Sequence, residues 1–137
     1  MKLHYDVLEG EYSQAGEASS SVKKTLKQLG IPSDLIRKIA VAMYEAEINM
    51  VIHANGGVVD VDILSDKVVV ILKDTGPGIA DIELAKTEGY STASEEARDL
   101  GFGAGMGIPN MIKNSDFFNI DTEVGKGTAV EIVVNLN

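Results

Sequence analysis

The chain has 137 residues, a length that suits one domain with one core, and its 45% hydrophobic content is enough to fill that core. A net charge of −9 argues against nonspecific nucleic-acid or anionic-membrane binding, and the absence of cysteine excludes a disulfide framework or a zinc ribbon. His4 and His53, the only imidazoles, are far apart in sequence and give a zinc site little weight. No apolar run is long enough to span a bilayer, and Met1-Lys2-Leu3-His4-Tyr5 has no secretory hydrophobic segment, so cytoplasm is the expected compartment.

Leu3 to Val7 alternates weakly and predicts a short strand. Ala15, Ala18, Val22, Leu26 and Leu29 recur at helical spacing and predict a helix from Gln14 to Leu29, stopped by Gly30. Its other face carries Lys23, Lys24 and Lys27. This strip reads first as a solvated face and, in an acidic chain, also as a docking strip. A second helix opens at Ile31-Pro32-Ser33-Asp34, with Ser33 as N-cap and Asp34 at the positive end of the dipole. It is expected to run to about Ala54 and stop at Asn55-Gly56-Gly57. Ile36, Ile39, Ala40, Met43, Met50 and Ala54 form its apolar stripe. Glu45 and Asn49, one turn apart, project from the other side near Val41 and Ile52. Glu47 falls inside the apolar stripe, which points to a protein interface or to a rotated helix.

Val58 to Leu64 and Lys67 to Lys73 predict two strands joined by a Ser65-Asp66 hairpin turn. The second strand ends in Asp74-Thr75-Gly76-Pro77-Gly78-Ile79. Gly76 and Gly78 permit close backbone approach, so Asp74 is placed to accept a hydrogen bond from a planar ligand lying against the backbone. Three readings stand for this stretch alone: a strand ending in a glycine-proline turn, an aspartic-protease half-site, and an adenine-binding box. Pro77 and the long helical stretches weigh against the protease. The other two are level on the hexapeptide alone. Ala80 to Leu100 lacks a strong period and reads as a lid or as a partly helical surface insertion. Gly101 to Gly107 then feeds Ile108-Pro109-Asn110-Met111-Ile112, a glycine loop leading into a helix and so a candidate anion site. Asp116 to Thr122 and Thr128 to Val134 predict two closing strands around the turn Val124-Gly125-Lys126-Gly127.

Taken in order, these parts resemble the GHKL ATP-binding superfamily. Glu45-Ala46-Glu47-Ile48-Asn49 with His53-Ala54 is similar to its N box, and Asp74 to Ile79 to its first glycine box. Gly101 to Gly107 is similar to the second glycine box, and Gly125-Lys126-Gly127-Thr128 to the closing Gly-Thr turn. No P-loop pattern occurs. The resemblance covers nearly the whole chain, as one domain over 1–137. It implies the Bergerat fold, an α/β (α+β) two-layer sandwich in which a mixed, mainly antiparallel sheet carries helices on one face. Within the superfamily, the small size and the segments His53 to Gly57 and Glu88 to Thr92 look most like the anti-sigma and switch serine/threonine kinases. Two features depart from that pattern: Tyr44 precedes the N-box acid where a small residue is usual, and the lid between Thr92 and Gly101 is longer and more acidic.

The resemblance implies Mg²⁺ and ATP as cofactors. Asn49 would ligate the metal. Asp74 would accept from the adenine amino group. His53, Gly76, Gly78, Ile79, Gly103, Ala104, Gly105, Met106, Gly107 and Thr128 would complete the nucleotide site. The glycine loop contains no lysine, so the phosphates would rely on Mg²⁺, backbone N–H groups and the helix starting near Ile108. Glu45 would orient or deprotonate the attacking hydroxyl or water. The implied partner is a STAS-domain protein of the anti-sigma-antagonist type, or a sigma factor. A homodimer is open to the chain, with neither nucleic acid nor membrane as partner. The alternatives are an ATP-dependent binding switch with little chemistry and an orphan histidine-kinase catalytic domain.

Overall fold

The structure is a computed structural model that describes residues 1–7, 16–53, 56–76 and 107–137, leaving aside the side chains at 52 and 53. Along the chain the described elements are β1 (Lys2–Val7), α1 (Glu17–Gln28), α2 (Ser33–His53), β2 (Gly57–Ile63), β3 (Lys67–Asp74), α3 (Gly107–Lys113), β4 (Phe117–Glu123) and β5 (Gly127–Asn135). The strands form one five-stranded sheet in the order β1-β2-β3-β5-β4. Every pairing among them is antiparallel, where the resemblance implied a mixed sheet.

Strand periodicity decides which face is covered. Val59, Val61 and Ile63 of β2, Val68, Val70 and Leu72 of β3, and Val130, Ile132 and Val134 of β5 all point into the core. There they meet Val22 and Leu26 of α1, Ile39, Met43 and Met50 of α2, and Ile108 and Met111 of α3. The alternate residues, among them His4, Asp60 and Phe117, line the opposite, exposed face. The result is the two-layer α+β arrangement expected: an open sheet with its helices on one side.

The β2–β3 connection is the expected two-residue hairpin. Leu64 donates its N–H to the Lys67 carbonyl at 2.9 Å, which leaves Ser65 and Asp66 as the turn. The second hairpin is shorter than expected. Glu123 pairs with Gly127, so Gly127 belongs to β5 and only Val124 to Lys126 form the loop.

Helix α1 ends as expected at Gly30, whose N–H reaches the Lys27 carbonyl at 3.1 Å while that of Ile31 reaches Leu26 at 3.1 Å. Ser33, expected as the N-cap of α2, lies inside the helix instead. The carbonyl of Pro32 receives the first helical bonds, from Leu35 at 3.1 Å and Ile36 at 3.0 Å. Asp34 does sit in the first turn. The buried surface of α2 is wider than the predicted stripe and takes in Ala42, Ala46, Ile48 and Val51. The cause is position: α2 touches α1, α3 and the sheet, and so is covered on three sides.

Glu47 is explained by the same position. The side chain is 2% exposed, and its carboxylate lies against the start of α1. Oε2 accepts the N–H groups of Gly16 at 3.0 Å and Ala18 at 3.2 Å, and Oε1 accepts that of Ser19 at 3.0 Å. The N-cap of α1 is Gly16, which has no side chain with which to satisfy these donors. The acid on α2 therefore caps α1 from outside, at the positive end of its dipole. Glu47 is thus neither an interface residue nor the sign of a rotated helix. The neighbouring Tyr44 explains the glycine: a Cβ at Gly16 would come 2.8 Å from Tyr44 Cε2, and φ there is +93°.

Candidate nucleotide site

Asp74 stands at the end of β3. The register sets Gly57, Asp74, Thr128 and Thr122 side by side across β2, β3, β5 and β4. Val68, Val70 and Leu72 face the helices, so the two-residue period turns Asp74 to the same side. Two glycines let the strands close in around it. A Cβ at Gly57 would lie 2.5 Å from Met50 Cε, and one at Gly127 would lie 2.9 Å from Thr75 Cα. The carboxylate is fixed from behind: Oδ1 accepts the N–H of Gly76 at 2.9 Å and that of Thr128 at 3.2 Å. Among the described residues no hydrogen-bond donor is directed at Oδ2. A carboxylate can accept at both oxygens.

Glu45 and Asn49 lie one turn apart on α2, both partly buried. Asn110, in the first turn of α3, donates from Nδ2 to Glu45 Oε1 at 3.3 Å. A carboxylate only accepts, which fixes the amide nitrogen toward it. Asn110 is in turn held through its carbonyl, which accepts from Asn114 Nδ2 at 2.9 Å. The acid of α2 is thus tied to the helix that follows the glycine loop. Tyr44 beside it has its phenol pushed above the ordinary tyrosine value, by burial first and then by the charges of Glu45 and Glu47.

Of the residues predicted for the site, the structure brings Asp74, Gly76 and Thr128 into direct contact, and it carries Glu45 and Asn49 on one turn of α2. Gly107 begins α3. The side chain of His53, and Gly78, Ile79, Gly103, Ala104, Gly105 and Met106, lie outside the described residues, as does the predicted lid from Ala80 to Leu100. Sequence reasoning missed Asn110, which the structure sets beside Glu45. Asn110 had a faint signal as the lone polar residue in the apolar turn Ile108 to Ile112.

These residues fit an adenine nucleotide with its metal. The Asp74 carboxylate suits an exocyclic amino group, and the Asn49 amide oxygen suits a hard divalent cation. Among the described residues no cluster of three or more His, Cys, Asp or Glu could hold a metal by itself. Mg²⁺ commonly takes most of its ligands from phosphate and water.

The fold and the Asp74 row fit an ATPase-type domain of the GHKL class. Residues 8–134 match the histidine kinase-like ATPase domain family, and the chain belongs to that family. It is 26% identical over 115 residues to the serine/threonine-protein kinase RsbT of Bacillus subtilis (strain 168), covering 81% of this chain and 80% of that protein. It is 31% identical over 130 residues to the anti-sigma F factor of Geobacillus stearothermophilus, covering 88% and 86%. Among solved structures it is similar to the RsbU and RsbW domains of Rv1364c from Mycobacterium tuberculosis, with a TM-score of 0.68 at 17% identity. That likeness concerns the fold; it covers 99% of this chain but only 32% of the longer one. The chain is therefore related to the anti-sigma factor and switch-kinase branch. No helix among the described residues is long and apolar enough to cross a membrane.

Proposed function

We propose that the chain is an Mg-ATP-dependent serine/threonine protein kinase that regulates a STAS-domain partner in transcriptional or stress signalling. The observation that carries this reading is the Glu45–Asn110 contact at 3.3 Å. It holds a carboxylate one turn from Asn49 and joins it to the helix fed by the glycine loop. In this reading Asp74 and Thr128 bind the adenine end, and Asn49 holds the metal, which supplies charge neutralisation at the phosphates. Glu45 takes up or orients the proton of the attacking hydroxyl. Helix α1 offers Lys23, Lys24 and Lys27, all exposed, as a basic strip for the partner.

The test is incubation with labelled ATP and candidate STAS-domain proteins. Transfer of label to a serine or threonine of the partner is expected. A second reading, an ATP-gated binding switch, draws support from the similarity to anti-sigma F factors. Partner binding that requires ATP, with neither transfer nor hydrolysis, would establish the switch and overturn the kinase.

A further inference from the structure

We infer that Met50 is a specificity-determining residue: its thioether closes the base end of the site beside Asp74, so that the site accepts a purine with an unsubstituted 6-amino group and refuses one alkylated at that nitrogen. This rests on the reading of Asp74 as the base-binding acid.

Met50 follows Asn49 on α2 and is 3% exposed. Its place is marked by Gly57, which stands opposite Asp74 in the β2–β3 pairing. A Cβ on Gly57 would meet Met50 Cε at 2.5 Å and the Asp74 Cα at 3.0 Å. The methionine methyl therefore occupies the room that a side chain at position 57 would take, beside the Asp74 backbone. It reaches there from the helical layer, the side to which the strand period turns Asp74. Glycine at 57 is what lets helix and strand end meet so closely.

This contact bears on the ligand through Asp74. The carboxylate is anchored by the N–H groups of Gly76 at 2.9 Å and Thr128 at 3.2 Å. An amino group bound to a carboxylate so anchored comes to a fixed place at the strand end. Whatever else that nitrogen carries is directed at the wall that Met50 forms. A hydrogen fits. An alkyl group meets a buried methyl, in a core where little room opens without moving α2 or β2. Hydrogen bonding does not enter the choice, because an alkylated amine keeps one N–H for Asp74. The discrimination is steric, and the side chain that imposes it is unbranched and replaceable without a change of charge.

The experiment measures the dissociation constants of ATP and of its 6-benzylamino analogue by calorimetry, for the parent and for Met50→Ala, Met50→Val and Met50→Leu. The parent is expected to prefer ATP. Met50→Ala opens room for the benzyl group and is expected to shift the ratio toward the analogue by about 10-fold or more, the effect of burying a few apolar carbons. Met50→Leu keeps the bulk and is expected to keep the parent ratio. Met50→Val removes less volume and is expected to shift the ratio less, in the same direction; it serves as the test if thermal melting shows that alanine impairs folding. A methionine that only fills the core would, when shortened, weaken both nucleotides alike, and an unchanged ratio in the folded Met50→Ala or Met50→Val protein would overturn the inference. A parent that binds the analogue as tightly as ATP overturns this inference alone. A parent that binds neither nucleotide overturns the nucleotide reading, and this inference with it.

Discussion

Glu47 of α2 receives the backbone N–H of Ser19 of α1 at 3.0 Å, deep in the helical layer. The bond joins two helices through a buried carboxylate. Its compensation is the set of N–H groups at the start of α1, together with the dipole of that helix.

Glu47→Ala should therefore destabilise the protein severely for a single substitution. It strips the cap from α1 and leaves buried donors without a partner, at a cost of about 2–4 kcal/mol. Urea denaturation should show a lower midpoint with an unchanged slope. A loss below about 0.5 kcal/mol, the level of an ordinary surface change, would show that α1 finds another cap.

Asp74→Asn separates fold from binding. The asparagine oxygen can keep the two N–H bonds now made by Oδ1, so melting should change little. Its NH₂ then takes the place of Oδ2 and presents donors to a group that needs an acceptor. Calorimetry should show ATP affinity reduced at least about 10-fold, as expected for the loss of a charge-assisted hydrogen bond of about 1.5–3 kcal/mol. Equal affinity in parent and variant would remove Asp74 from the base site.

Glu45 and Asn49 should fail differently although they share one face of α2. Asn49→Ala should weaken Mg-ATP binding itself. Glu45→Ala should leave affinity nearly intact and lower the rate of phosphoryl transfer by about 10²–10⁴-fold if it acts as general base. Positioning and electrostatics carry much of such reactions, so a smaller loss still marks a role. Single-turnover transfer and equilibrium binding, measured on both variants, read the two effects apart. A Glu45→Ala protein with the parent rate is evidence that the carboxylate only buttresses Asn110.

On the open face of the sheet, His4 Nδ1 lies 2.6 Å from Asp60 Oδ1, and Nε2 lies 3.4 Å from Asp6 Oδ1. The hydrogen bond with Asp60 raises the imidazole above its ordinary value; desolvation opposes it, and the charge of Asp60 with the hydrogen bond and charge of Asp6 add to the rise. A folded-state value above the unfolded one means that protonation favours the folded state. This contribution is full below about pH 6.5, the unfolded value, and disappears as pH rises through the higher folded value. NMR titration of the His4 ring should show the raised midpoint, and Asp60→Asn should bring it down. A midpoint that ignores the substitution would mean that the pair is not formed in solution.

Local patterns in the chain carried most of the architecture. The two-residue alternation around Val68 to Leu72 and Val130 to Val134 marked the strands and their buried side, and Gly30 and Ser65-Asp66 marked a stop and a turn. These signals come from neighbours in sequence, which is why they were legible there. The same holds for Glu45 with Asn49, one helical turn apart, and for Asp74 at the end of its strand. What tertiary structure alone decided came from residues far apart in the chain. Glu47 looked anomalous because the donors it serves belong to a helix 28 to 31 residues earlier. Glu45 gained Asn110 from 65 residues away, and Asp74 gained Thr128 from 54. A side chain advertises its charge and shape in sequence, but the group that satisfies it is chosen only when sheet and helices close. The chain by itself thus fixed which residues had chemistry to offer. Packing chose the partner of each, turning a misplaced acid into a cap and tying an isolated aspartate to the strand beside it.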